Sequence, residues 1–191
     1  MDRYTTNHEE GEVLQNLLGI TDQGLLHAAE FEGFLMAEIL FTERLSSDTR
    51  FTVKYIQDIH YTALHRLYSF AGKFRTVNMS KGGFVFPAAR FIPESMSAFE
   101  KEFLLPLPKT YPDKASLARD IARIHGELLF IHPFREGNGR TARVLANLMA
   151  RKQGYNGLDF KHLDFDEYVI AVQQSARRNY SLMEKIIISA F

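Results

Sequence analysis

His132 and Glu136 lie four residues apart, and Gly137, Asn138, Gly139, Arg140 and Arg143 follow at once. An imidazole, with an ordinary pKa near ~6.5, is largely neutral at pH 7 and can take a proton from an attacking hydroxyl. Two glycines let a backbone approach a phosphate closely, and successive N–H groups form a nest for an anion. Arg140 and Arg143 are three apart, so on a helix they share a face. These types and spacings point to a polyphosphate held beside a proton acceptor.

Apolar residues before the cluster (Ile121, Ile124, Leu128) and after it (Val144, Leu145, Leu148, Met149) recur at helical spacing. The cluster is therefore expected at a helix–loop–helix junction, with Asn138 or Gly139 starting the second helix. The unsatisfied N–H groups and positive dipole end of that helix would face the loop, a ready anion site.

Other elements read as supports. Residues 1–11 are polar and expected to be loosely held. Gly11 to Leu18 reads as a short helix closed by Gly19. Thr21 or Asp22 reads as the cap of a helix over Leu25 to Leu45, with Leu26, Ala29, Gly33, Phe34, Ala37, Leu40 and Phe41 at helical spacing. Ser46-Ser47-Asp48 breaks it. A second helix is expected from about Thr52 to Tyr68, with Tyr55, Ile56, Ile59, Ala63, Leu64 and Leu67 inward. Phe74 to Phe91, aromatic and β-branched around Gly82-Gly83, reads as a hairpin. Pro93 suits the first turn of a helix with Met96, Phe99 and Phe103 on one face, ended by Pro106 and Pro108. Asp113 or Ser116 starts the helix leading to the cluster, and Gly154 stops the helix after it. Asp164 with Glu167, and Ser181 with Glu184, have capping-box spacing. The expected fold is mostly α with one short hairpin.

Composition narrows the function classes. The 191 residues suit a single domain, with 1–20 an N-terminal extension and 52–153 the core. Lys plus Arg (23) equals Asp plus Glu (23), so no global field recruits nucleic acid or an anionic membrane. No apolar run reaches the length of a membrane span, and the polar Met1-Asp2-Arg3-Tyr4 does not read as a signal peptide. Absence of cysteine excludes disulfides, thiol catalysis and Cys-based zinc sites, and fits a cytoplasmic location, with secretion as an effector left open. A metal hydrolase lacks support: there is no His-Glu-x-x-His, and neither His60 with His65 nor His125 with His132 has i, i+4 spacing.

Residues 132–143 resemble the signature of the Fic family, His-x-Phe-x-(Asp/Glu)-Gly-Asn-Gly-Arg-x-x-Arg, with every specified position filled. The resemblance implies a helical bundle with a β-hairpin flap over the site, here about 74–91. It implies a protein adenylyltransferase that moves AMP from ATP to a Ser, Thr or Tyr hydroxyl of a target, or of itself. His132 would be the general base. Glu136 would hold Mg²⁺ (or Mn²⁺), an ion that keeps several waters and takes its remaining ligands from the nucleotide. Gly137, Asn138, Gly139 and Thr141 would lie on the phosphates, and Arg140 and Arg143 would clamp their distal end. Phe134 would anchor the loop in the core. The flap, 78–91, would dock the target by strand pairing, with Lys81 and Gly82 near the nucleotide. Leu129, Tyr168, Asn179 and Tyr180 are candidate adenine lining, although core packing explains each as well.

Many proteins of this family are restrained by a helix of pattern (Ser/Thr)-x-x-x-Glu-(Gly/Asn), whose Glu pairs with the second motif arginine, here Arg143. Thr6 to Gly11 fits, with Glu10 as the regulatory residue. Ala28 to Gly33 lacks the hydroxyl, and Ser181 with Glu184 has the wrong spacing. An antitoxin or a second copy of the chain is the alternative source of restraint. Other nucleotide donors, removal of AMP, and a non-catalytic nucleotide-binding module remain as rival readings. A Doc-like kinase is disfavoured, because Gly139-Arg140 replaces its Lys-Arg.

Overall fold

The computed structural model describes residues 5–6, 13–81 and 84–191. Glu10, Gly82 and the start of the short helix expected from Gly11 lie outside them. The helices are α1 (Gln23–Glu43), α2 (Val53–Leu64), α3 (Ile92–Phe99), α4 (Lys114–Ile131), α5 (Asn138–Lys152), α6 (Phe165–Ser175) and α7 (Ser181–Ser189). A small antiparallel sheet has the order β1 (Thr5–Thr6), β2 (Met79–Lys81), β3 (Phe84–Val85). Thr5 pairs with Ser80, and Ser80 with Val85. The mostly helical fold with a short hairpin matches the expectation.

The long helix α4 runs through the core. Asp113 caps it by accepting from Ser116 N–H at 2.7 Å. Residues from Leu117 to Ile131 are buried on all but a narrow strip, because α3, α5, α6 and α7 pack around it. α1 lies across α2 and α5. Its inward stripe is Leu26, Glu30, Phe34, Ala37 and Phe41, which places one carboxylate among apolar neighbours. Where α1 crosses α2 the backbones nearly touch: a Cβ on Gly33 would stand 2.0 Å from the Ala63 carbonyl oxygen.

Several local expectations are corrected. Residues 13–20 form turns and no helix. The Asn16 side chain competes with helical hydrogen bonding, accepting from Ile20 N–H at 2.9 Å and donating to Ile20 O at 2.8 Å. α2 ends at Leu64, and Leu67 and Tyr68 fold back in a turn on the Leu64 carbonyl. The strands are far shorter than Phe74 to Phe91, since Ala89–Phe91 is already a 3₁₀ turn leading into α3. α3 is extended by a π turn, Glu100–Leu104, from which Glu100 accepts from Val53 N–H at 2.7 Å and caps α2. Ser181 does not cap α7. It lies inside the first turn behind Tyr180, and Glu184 pairs with Arg119 at 3.7 Å.

The α1–α2 crossing gives a direct test. Gly33→Ala must push the two backbones apart, and should cost about 2–3 kcal/mol of stability, a fall of about 5–10 °C in Tm. An unchanged Tm would mean the helices are not in this contact in solution.

Candidate active site

α4 stops at Ile131 because His132 adopts a left-handed conformation, φ 52° and ψ 59°, and Pro133 follows. α5 restarts at Asn138, one residue beyond Gly137, whose φ is 76°. A side chain at Gly137 is excluded twice, by that φ and by Phe34 at 2.9 Å from a Cβ. The Asn138 side chain closes the loop: its Oδ1 accepts from Phe134 N–H at 2.8 Å, and its Nδ2 donates to Phe134 O at 2.7 Å. Asn138 thus offers an anion only its backbone N–H. Phe134 is wholly buried and stacks on His60 at 3.9 Å.

Gly139 sits in the first turn of α5, where a Cβ would meet nothing within 4 Å. That open side is where an anion would approach the N–H groups of Asn138, Gly139 and Arg140. Thr141 begins the α5 hydrogen-bond ladder, donating to Gly137 O at 2.9 Å, and its side chain is buried.

His132 is 4% exposed and stacked on Phe86 of the flap at 3.9 Å. Its Nδ1 lies 3.0 Å from the Leu129 carbonyl. A carbonyl only accepts, so Nδ1 carries the hydrogen and Nε2 carries the lone pair. Burial, above all, lowers its pKa to about 3, with the charges of Arg75 and Lys81 adding to the effect. The ring is neutral, with Nε2 as its acceptor nitrogen.

Arg75 joins this turn to the flap. Its buried guanidinium donates to His132 O (2.7 Å), Val77 O (2.7 Å) and Pro87 O (2.6 Å), while its own N–H donates to Pro133 O (2.8 Å). Nothing in the spacing of the chain marks it.

Glu136 is held by its backbone and its side chain. The His60 Nδ1 accepts from Gly72 N–H at 2.8 Å, so Nε2–H donates to Glu136 O at 2.9 Å. Burial lowers the His60 pKa to about 4 and keeps that arrangement neutral. Glu136 Oε1 accepts from Gly137 N–H at 2.7 Å and from Arg140 Nη2 at 3.1 Å. Arg140 also pairs with the buried Glu30 at 2.9 Å and lies over the Phe34 ring at 5.0 Å. Arg140 is therefore engaged by two carboxylates, whereas no ion pair among the described residues involves Arg143. Glu30 and His60 are polar residues within the inward stripes of α1 and α2, and that misfit was their only trace in the sequence.

Burial separates the four candidate adenine residues. Leu129 and Tyr168 belong to the core, and the Tyr168 hydroxyl donates to His125 Nε2 at 2.5 Å. Asn179 is exposed, and Tyr180 is half-buried with its hydroxyl on Glu127 at 2.6 Å. A 780 Å³ cavity lies elsewhere, between the C-terminal half of α5 and α7, lined by Asn147, Arg151 and Phe160 among others and by none of the motif.

Three neutral buried histidines make stability depend on pH. His60 is lowered to about 4, and His125 and His132 to about 3, from 6.5. Below pH 6.5 the unfolded chain binds protons that the folded chain refuses, so their contribution is full above that pH and is lost as pH falls toward about 4 for His60 and about 3 for His125 and His132. Each histidine steepens the dependence by about 1.4 kcal/mol per pH unit. The urea midpoint should drop sharply from pH 6.5 to 4.5, and His125→Gln should flatten the slope. An equal slope in that variant would contradict a neutral His125.

With this geometry in place, the comparisons with known proteins are specific. The model of the Fic/DOC family matches residues 50–150. Protein adenylyltransferase VbhT of Bartonella schoenbuchensis is 31% identical over 186 residues, 97% of this chain but only 38% of that protein. The probable protein adenylyltransferase y4lH of Sinorhizobium fredii is 33% identical, with 85% of this chain and 83% of that protein covered. The crystal structure of the BepC effector of Bartonella tribocorum with bound AMPPNP superposes with a TM-score of 0.80 at 20% identity, over 96% of this chain and 94% of that one. A shared fold and closely related sequences, together with an intact motif at the α4–α5 turn, place this chain in the Fic/DOC family.

Proposed function

We propose that the chain transfers AMP from ATP to a hydroxyl of a target protein. The hydroxyl oxygen bonds to the α-phosphorus, the bond to the β-phosphate oxygen breaks, and pyrophosphate leaves. His132 receives the hydroxyl proton at Nε2. The observation that carries this reading is the tautomer of His132, set by Leu129 O, beside an α5 N-terminus that is open to an anion. The relatives named protein adenylyltransferases, and the AMPPNP held by BepC, support it.

Roles follow from placement. The backbone N–H groups of Asn138, Gly139 and Arg140, just past the Gly137 turn, would receive the α- and β-phosphates, since the Gly137 N–H is taken by Glu136, and Arg143 would reach the distal phosphate. Arg140 braces the loop between Glu30 and Glu136, a different role from the distal clamp expected of it. Glu136 fits a divalent cation: Glu30 and Glu136 share one guanidinium, which leaves one negative charge in excess. Among the described residues no group of three His, Asp or Glu could form a complete cage, so phosphates and water would supply the other ligands. Mg²⁺ or Mn²⁺ bound there would neutralise charge on the α- and β-phosphates. Adenine would rest at the α6–α7 turn by Asn179 and Tyr180, with Leu129 and Tyr168 supporting it from the core.

The flap would take the target as an added strand, and it already accepts one, since Thr5–Thr6 pairs with β2. That pairing also brings the chain's own N-terminal segment to the docking edge and makes it the expected place of self-modification. Restraint, by Glu10, an antitoxin or a second copy, would act on Arg143. Among the described residues no helix is long and apolar enough to cross a membrane. A cytoplasmic place of action, in the producing cell or after secretion, is the reading that suits the cysteine-free chain.

Two experiments test this. ATP labelled at the α- or the γ-phosphate is supplied with Mg²⁺ to a lysate and the wild type. Only α label should become covalent, with His132→Ala slower by about 10²–10⁴-fold, and self-label should map to the N-terminal peptide. Transfer of γ label would mean a kinase-like pose, and label from UTP but not ATP another donor. Gly139→Ala separates binding from folding. Its Cβ has room, and Ala favours a helix by about 0.5–1 kcal/mol, so Tm should hold or rise while KM for ATP climbs about tenfold. An unchanged KM would remove the phosphate from this turn.

A further inference from the structure

Resting on the adenylyl-transfer reading, we propose that Glu30 and Tyr68 are positioning residues that set the Glu136 carboxylate for its divalent cation by taking up the charge of Arg140. One nitrogen of Arg140, Nη2, makes both bonds, to Glu30 Oε2 at 2.9 Å and to Glu136 Oε1 at 3.1 Å. Its two hydrogens point about 120° apart, so each carboxylate receives one and their mutual direction is fixed by the planar fork. Glu30 has little freedom to answer. It is 2% exposed in the α1 stripe, and its other oxygen accepts from the Tyr68 hydroxyl at 2.5 Å. Tyr68 is itself buried and stacked on Phe70 at 4.6 Å. Burial and the neighbouring Glu30 raise its pKa, which keeps the hydroxyl a donor.

This chain, Tyr68 to Glu30 to Arg140 to Glu136, has a consequence for cation binding. An arginine beside a single carboxylate is a full counter-charge, and a cation must compete with it. Glu30 supplies Arg140 with a buried partner that does not leave, so Glu136 is only half neutralised. Both hydrogen bonds to the Glu136 carboxylate, from Gly137 and Arg140, fall on Oε1, which leaves Oε2 as the oxygen available to a cation. Without Glu30 the guanidinium would turn wholly to Glu136. The tether also explains why α1, far from the motif in sequence, presents Glu30 and Phe34 together to this loop, since Phe34 stacks on the same guanidinium and closes on Gly137.

The test measures affinity for a non-hydrolysable ATP analogue by calorimetry, with and without Mn²⁺, on the full chain. Wild type should gain affinity with Mn²⁺, and Glu136→Gln should abolish that gain. Glu30→Gln, which keeps the shape and the Tyr68 bond, should cut the gain about tenfold while metal-free affinity changes less than about threefold. Tyr68→Phe should act in the same direction by about two- to fourfold, and serves if Glu30→Gln folds poorly. In turnover, half-saturating Mn²⁺ should rise while kcat at saturating Mn²⁺ stays within a few-fold. An undiminished gain in both variants would make Glu30 a purely structural pair and overturn the proposal. Faster turnover in Glu30→Gln would also overturn it, because Glu30 would then restrain Arg140. If wild type transfers no α label and shows no Mn²⁺ gain, the adenylyl-transfer reading fails, and this inference with it.

Discussion

A helix that stops at Ile131 and another that starts at Asn138 leave up to four carbonyls and four N–H groups without helical partners, within a buried turn. The structure settles the two sets differently. The carbonyls of the turn are taken up inside the protein: Leu129 by His132, His132 and Pro133 by Arg75, Phe134 by Asn138, and Glu136 by His60. Among the N–H groups, Gly137 is accepted by Glu136, and Thr141 joins the ladder. Those of Asn138, Gly139 and Arg140 meet no acceptor among the described residues, at the end where the dipole favours negative charge. The same constraint that would penalise a buried turn thus leaves three N–H groups able to meet an anion, in the turn that also holds His132.

Charge is rationed in this core. His60, His125 and His132 are buried, and each is used as a neutral ring whose two nitrogens have distinct duties: one donates to a backbone carbonyl, and the other can accept. Burial, the largest cause in each case, disfavours the imidazolium, so the tautomer chosen by the carbonyl persists. Of the buried acidic and basic side chains, Glu30 pairs with Arg140, which also reaches Glu136, Glu127 accepts from the Tyr180 hydroxyl, and Arg75 is wrapped in carbonyl oxygens. Burial lowers the Arg75 pKa only to about 10, so it remains a cation at neutral pH.

The flap and His132 are mechanically one unit. Arg75 spans both roots of the hairpin, Val77 and Pro87, and the carbonyl of His132, while Phe86 covers the imidazole. A strand added to the hairpin edge would therefore register against a frame that already contains the His132 ring. Such a frame limits the loss of orientation on docking, which favours a near-attack arrangement of an incoming hydroxyl.

Local chemistry made much of this legible in the sequence. Helical spacing located α1, α2, α4 and α5, and capping chemistry placed Asp22, Asp113 and Asp164, since each effect acts within a turn. The motif at 132–143 revealed the turn between two helices, because glycine conformation and helix ends are local properties. Where one side chain outbid a helix, as Asn16 does, or a cap depended on one residue of register, as at Ser181, spacing misled. Only the tertiary structure decided the partners of the motif. Glu30 lies 110 residues from Arg140, His60 76 from Glu136, Arg75 57 from His132 and Tyr68 38 from Glu30, and no periodicity encodes which buried polar group meets which. It also decided that Arg140 pairs with Glu30 and Glu136, and that Leu129 and Tyr168 are buried in the core. Those outcomes depend on where packed helices bring a charge or a hydroxyl within about 3 Å of a partner, a condition set by the whole fold at once.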